Sequence, residues 1–425
     1  MVKPGYKQTE IGVLPESWDT ITFEDCFAIL PNNTLSRAEL NYNGGDVRNI
    51  HYGDILVKFP AVLDCSAEGL PYINKENVAK ASKGFLHDGD LIMADTAEDV
   101  IVGKSTEVIG IGDSKIVSGL HTIPCRPRDA EMFAPKWLGY FINHCTYHDQ
   151  LIPYITGIKV SSVSKSAISS TVIAVPPKPE QAAIAEVLSD IDTLIVNLEK
   201  LIAKKKAIKQ GVMQELLTGK RRLLGFDGEW VELEIGANGR LLRESIDPQT
   251  HPNVMFSEYS MPAFDDGQMA VKKYGADMHS NRTVIHGTVL LFNKLNVRQK
   301  RIWLVNAMEN NAVCSSEFLP YCSETIDLRL LQQLLSTEKV TNDFIGMSTG
   351  TSNSQKRITP KNFLDYTVYV PSDINEQAAI ADILVDMDRE ITHLKQTLVK
   401  YQLVKQGMMS ELLTGRIRLI DKEDA

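Results

Sequence analysis

The chain has 425 residues, is 43% hydrophobic and 23% charged, and carries a formal net charge of −9. That length is a prior for two or three domains, and the composition excludes fibrous, low-complexity and disulfide-scaffold classes. No apolar run approaches the ~18 residues a membrane helix needs, the opening MVKPGYKQTEIG lacks the apolar stretch of a secretion signal, and six cysteines without a CxxC pair read as reduced thiols of a cytoplasmic protein.

Along the chain, LPESWDTITFED (14–25) sets a turn and a tryptophan at the entry to a strand. HDGDLIMAD (87–95) reads as another strand from its compact apolar run. VGKST (102–106) ends like a phosphate-binding loop, but that motif requires glycine where this chain has Glu98, inside an acidic DTAED that repels phosphate. DTAED itself reads as a solvated loop before a metal site. HCTYH (144–148) holds metal-ligating side chains, yet its setting in a helix after Trp137 favours ordinary packing. TGIKVSSVSKSAISSTVIAVPP (156–177) then runs as a polar loop, a short helix and a β-rich strand.

From VPPKPEQ onward, Ile184, Leu188, Ile191, Ile195, Leu198 and Ile202 recur at spacings of four and three, the seam of a helix packed on another long helix. Proline opens the segment and Thr-Gly with basic residues closes it. The predicted helix has about 39 residues, roughly 58 Å at 1.5 Å per residue. The skeleton then repeats. GFDGEWVELEIG (225–236) matches the first turn and strand, IHGTVLLFN (285–293) echoes the second, and TGTSNSQKRITPKNFLDYTVYVP (349–371) parallels the loop, short helix and strand. A second seam follows at Ile380, Leu384, Met387, Ile391, Leu394 and Leu398. At a constant offset of 196, residues 180–223 and 376–419 align without a gap, both opening EQAAIA and both carrying ELLTG near the close. Gly211 and Gly407 sit at matching places inside the helical pattern, where glycine costs about 1 kcal/mol relative to alanine. They predict a close helix approach or a kink.

Nearly copied helices joined to divergent globular heads imply the same partner twice and two different targets. This order, with EQAAIA…KQGxMxELLTGxxRL written twice, resembles the specificity subunit of type I restriction–modification systems over essentially the whole chain. GDLIMADTAEDVIVGKSTEV and SGLHTIPCRP also look like target-recognition sequence of that family. The resemblance implies an α+β fold with two globular α/β target-recognition domains, two long antiparallel coiled-coil helices and an internal pseudo-two-fold repeat. The expected boundaries are 1–177 and 223–372 for the domains, 178–222 for the first helix, and 373–425 for the second helix with its tail. It implies that each domain reads half of a bipartite site in double-stranded DNA. The helices would set the spacing and dock two methyltransferase subunits, directing adenine methylation, and restriction motor-nuclease subunits would join them. S-adenosylmethionine, ATP and Mg would act through those other subunits, with no membrane involved.

The residues offer no catalytic set of their own. The only Pro-Pro lies in VPPKPE, a helix start, and no glycine-rich cofactor loop follows a strand. Catalytic, cofactor and metal residues are therefore expected to be absent. No segment is a basic arm, so DNA contact has to rest on local patches of Lys and Arg for phosphates, with Arg, Lys, Asn, Gln or Ser/Thr for base edges. The best patch is NKLNVRQKRIW, with Lys294, Arg298, Lys300 and Arg301. The loop TSNSQKR adds Ser352, Asn353, Ser354, Gln355, Lys356 and Arg357. The matching loop in the first half supplies Lys159, Ser161, Ser162 and Lys165, with Lys104 and Ser105 of VGKST as further candidates. Two other readings remain at this level: a specificity module serving a methyltransferase-nuclease on another chain, and a coiled-coil adaptor that never touches DNA.

Overall fold

The computed structural model describes residues 2–420 apart from 68, 82, 158 and 351–354. Two compact units form, one from 1–199 with 397–425 and the other from Lys200–Gln396. Packing thus divides the chain in the middle of both long helices, whereas sequence pattern divides it at their ends. Each helix serves two units.

In the first unit, β1 (Asp19–Thr22), β2 (Phe27–Ile29), β3 (Arg48–Ile50), β4 (Val62–Asp64), β5 (Leu91–Ala94), β6 (Thr96–Ala97), β7 (Ser105–Ile109), β8 (Ile116–Ser118) and β9 (Thr122–Pro127) precede the helix α1 (Trp137–Ile142). The centre is a five-stranded sheet ordered β2-β9-β5-β7-β4. All four residues of β5 are buried, as a strand covered on both faces requires. A smaller sheet pairs β8 with β3 in parallel. The helix α1 starts from Lys136 in a left-handed backbone with no side-chain cap of its own. Glu107 of β7 takes over, its carboxylate accepting from Lys136 N at 2.6 Å and Gly139 N at 2.9 Å. Burial still outweighs those donors and pushes the Glu107 carboxyl up to about 7. β10 (Ser161–Ser162), α2 (Lys165–Ser169) and β11 (Val172–Val175) complete this half, with β11 antiparallel to β1 from Val172↔Thr22 to Val175↔Asp19. The chain then enters α3 (Lys178–Leu216).

The second unit rebuilds the skeleton with β12 (Trp230–Glu234), β13 (Arg240–Leu241), β14 (Met255–Tyr259), β15 (Gly287–Asn293), β16 (Ile302–Ala307), β17 (Ala312–Ser315), β18 (Phe318–Cys322), α4 (Leu328–Leu335), α5 (Pro360–Leu364), β19 (Thr367–Pro371) and α6 (Ile374–Leu412). The sheet β13-β18-β15-β16 takes the place of the first central sheet. β17 pairs in parallel with β14 as β8 does with β3, and β19 closes on β12 as β11 does on β1. Here Asp327 caps α4 with its own side chain, and no neighbouring strand carboxylate is needed.

Both long helices have 39 residues and run antiparallel. Lys405 meets Asp192 at 2.5 Å in the first unit, and Lys209 meets Asp388 at 2.5 Å in the second. The duplicated phrase has a physical explanation at its ends. The buried Glu180 carboxylate is held by both Nε and Nη2 of Arg418, and it also accepts from Trp18 Nε1 at 2.8 Å. The buried Glu376 is held in the same way by Arg222, at 2.7 and 2.8 Å. The next residue pins each helix to its domain. Gln181 accepts from Ala134 N and donates to Pro176 O, while Gln377 accepts from Asp327 N and donates to Pro371 O. Glu-Gln at one helix start and Arg after the other helix end are thus one clamp, written twice.

The seam residues divide by depth. Ile184 and Leu188 sit in the first unit's core with Leu412 and Leu413, and Ile380 and Leu384 sit in the second core with Leu216 and Leu217. Ile191, Ile202 and Ile391 are buried, whereas Ile195, Leu198, Met387, Leu394 and Leu398 are half-buried, since two helices alone cannot cover a seam fully. α3 stops at Leu216, short of residue 222, because Gly219 turns left-handed beneath Trp230. Gly415 does the same beneath Pro15 and Trp18. The expected close approach at Gly211 and Gly407 is not found. A Cβ at either would meet nothing within 4 Å, because both glycines lie on exposed faces.

Candidate nucleic-acid interface

In the second unit the patch and the polar loop, some sixty residues apart in sequence, are hydrogen-bonded together. β15 ends at Asn293, the chain loops out, and β16 returns it. Asn296 N donates to Lys356 O at 2.8 Å and Ile358 N donates to Lys294 O at 3.0 Å. Asn296 and Lys300 both adopt left-handed backbone, and they flank the exposed Arg298. The loop that brings Arg357 here opens at Gly350, whose φ of +148° and close contact with Gln355 O exclude a side chain.

The cations differ in availability. Arg298 is exposed, Lys294 and Lys356 are half-buried, and Gln355 is exposed. Lys300 is paired with Glu338 at 2.5 Å. Arg301 is bidentate on Asp265 at 2.8 and 2.7 Å. That hydrogen-bonded pairing raises the guanidinium and holds the Asp265 carboxyl below its ordinary value. Arg357 is paired with Glu317 at 3.2 Å through both Nε and Nη2. Ser352, Asn353 and Ser354 lie outside the described residues.

The first unit brings its two stretches together in the same manner. β6 pairs with β10, Thr96 against Ser162 and Ala97 against Ser161. Lys159 and Lys165 are exposed, and Ser161 and Ser162 are half-buried. One expectation fails here. Ser105 is fully buried, its N–H donating to Asn143 Oδ1 and its hydroxyl to Gly103 O, because it begins an inner strand of the sheet. Lys104 turns its ammonium onto Leu56 O at 2.9 Å, and burial lowers its pKa below the usual lysine value. Ser105 is therefore not a surface contact, whereas Lys104 is half-buried with its ammonium engaged. In HCTYH, His144 caps a short helix by accepting from Thr146 N, and His148 Nε2 lies 2.9 Å from Val102 O. Among the described residues no group of three His, Cys, Asp or Glu side chains is placed to hold a metal ion.

Sequence reasoning named no contact residue in the third segment at each junction: the turn at His121, inside SGLHTIPCRP, in the first unit and the turn at Glu317 in the second. No hydropathy period marks either. The nearest signal is that each lies just before a strand that neighbours the central one.

Residues 15–210 match the family model described as "Type I restriction modification DNA specificity domain". Over that stretch the chain is similar to the type I restriction–modification specificity family. Its relatives include the type I restriction enzyme MjaVIII specificity subunit of Methanocaldococcus jannaschii, 23% identical over 301 residues, which are 62% of this chain and 66% of that one. A second protein of that organism, whose name assigns it to the MjaX specificity subunit, is 26% identical over 219 residues, 50% of this chain and 48% of its own. The chain thus spans about half to two-thirds of the length of these curated relatives. The crystal structure of a type I system S subunit from M. genitalium superposes with a TM-score of 0.59 at 12% identity, covering 93% of this chain and 96% of that one. A chain from a structure describing complex assembly and conformational transition of the type I system gives 0.51 at 13% identity, covering 95% and 99%. At these identities the two structures speak for the type I S-subunit fold.

Proposed function

We propose that this chain is the non-catalytic, sequence-specific subunit of a type I restriction–modification complex. Each globular domain reads one half of a bipartite site in double-stranded DNA. The paired helices fix the spacing and dock two copies of a methyltransferase subunit, so that adenine methylation and restriction are directed to that site. The reading is supported above all by one observation: a loop junction of the same backbone design recurs in both units with different side chains, while the helices between are nearly copies. Two like helices suit one partner bound twice, and two unlike heads suit two half-sites. S-adenosylmethionine, ATP and Mg belong to the partner subunits. The test is to purify the chain with its co-expressed neighbours and sequence the modified bases of the host. A co-purifying methyltransferase and an interrupted two-part adenine motif are expected, and that motif should be lost when this gene is deleted. A motif that survives the deletion, or one that is continuous, overturns the proposal.

A further inference from the structure

At each loop junction three chain segments meet in one hydrogen-bonding scheme. In the first unit Asp95 N donates to His121 O at 3.1 Å, Val163 N donates to Asp95 O at 2.9 Å, Thr96 pairs with Ser162, and Ser162 bridges back to Thr156. In the second, Lys294 N donates to Glu317 O at 3.0 Å, Ile358 N donates to Lys294 O at 3.0 Å, Leu295 pairs with Arg357, and Arg357 bridges back to Thr349. The backbone relations correspond one for one. The side chains do not: Asp95, His121 and Ser162 stand where Lys294, Glu317 and Arg357 stand. A scaffold that keeps the main chain and changes the heads is the arrangement that two different base readers need.

The chemistry of each head is specific. The Arg357 guanidinium gives Nε and one Nη2 hydrogen to Glu317 and is 44% exposed on its side chain. Among the described residues its end edge, Nη1 with the outer Nη2 hydrogen, has no partner, and it matches the O6 and N7 acceptors of guanine. His121 sits at φ +53°, a strained backbone for a residue other than glycine. Its ring lies edge-on to Tyr52, 5.2 Å between centroids, and is 46% exposed. Nδ1 faces Asp95 Oδ1 and Thr96 Oγ1, each at 3.4 Å. The tautomer that points Nδ1–H at Asp95 leaves Nε2 an acceptor, complementary in the major groove to the exocyclic amino group of adenine or cytosine and mismatched there to guanine and thymine.

We propose that these two junctions are the base-reading centres of the chain: Arg357 buttressed by Glu317 reads a guanine in one half-site, and His121 oriented by Asp95 and Thr96 reads an adenine or cytosine in the other. The inference rests on the DNA-reading function proposed above. Glu317, Asp95 and Thr96 are positioning residues.

The test is selection of randomised double-stranded DNA by the full-length chain, followed by sequencing, for wild type, Arg357→Gln, Glu317→Gln and His121→Asn. Asparagine is chosen at 121 because it tolerates left-handed backbone. Wild type is expected to enrich a two-part motif. Arg357→Gln should cut the preference for one guanine in one part by roughly 5- to 150-fold, the span of a single bidentate base contact. Glu317→Gln should relax that same position and no other. His121→Asn should change one adenine or cytosine position in the other part only. An unchanged motif, a loss spread evenly over all positions, or two junctions acting on one part each overturn this inference while leaving DNA reading in place. A wild-type chain that enriches nothing overturns both.

Discussion

Removing Arg418 tests whether the second helix ends as part of the first unit. The Glu180 side chain has no solvent exposure and Arg418 is 24% exposed. In Arg418→Met the Glu180 carboxylate keeps a single neutral donor, Trp18 Nε1. Stripping a buried charge of its ionic partner costs about 3–5 kcal/mol. For a unit of this size each kcal/mol shifts the melting midpoint by ~2–4 °C, so the first unit's transition should fall by about 6–20 °C. Calorimetry of the full chain reads this directly, and Arg222→Met should lower the other unit's transition through Glu376. The double variant Glu180→Gln with Arg418→Met should recover more than half of the loss, because the charge is gone and glutamine Oε1 still accepts from Trp18. A single variant that melts within about 3 °C of wild type, or a double variant no more stable than the single, would refute the clamp.

Three further outcomes are expected. Ile191→Asp places a charge at a buried seam position and should cost several kcal/mol, read by chemical denaturation; unchanged stability would move the seam elsewhere. Gly211→Ala should stabilise the chain by about 1 kcal/mol, and Gly211→Leu should be tolerated nearly as well, because the Cβ enters open space; a large loss with leucine in the isolated chain would restore the close-approach reading. The Glu107 carboxyl should titrate near pH 7 in carbon-detected NMR. Its raised value means that burial disfavours the charged form, so its contribution to stability is full below pH ~4.5 and is lost as pH climbs to about 7. A midpoint below 5 would show the backbone donors of α1 outweighing burial.

The scaffold was legible because it is periodic. Spacings of four and three, proline at the start and Thr-Gly at the end set two helices near 39 residues, and the structure returns that length for both. The turn, tryptophan and strand at each domain entry were legible for the same local reason. What the pattern hid was long-range pairing. Ser105 reads as a polar loop residue until β7 is seen to run inside the sheet. Lys300, Arg301 and Arg357 read as free cations, but their carboxylates at Glu338, Asp265 and Glu317 lie 36 to 40 residues away in sequence. Glu180 and Arg418, 238 positions apart, had no local signal beyond their repetition as Glu376 and Arg222. Glu107 was invisible because its role is to finish a helix that belongs to another stretch of chain.

The clamp also imposes an order on synthesis. The second unit, Lys200–Gln396, is one continuous stretch and holds both halves of its own Glu376–Arg222 pair. The first unit includes the far end of the second helix, so Glu180 waits for Arg418, 238 positions later in the chain. Nascent proteins ordinarily complete their domains from the N-terminus onward. Here the later-translated unit is the first that can close its clamp, and the earlier one stays open at its helix until Arg418 has emerged.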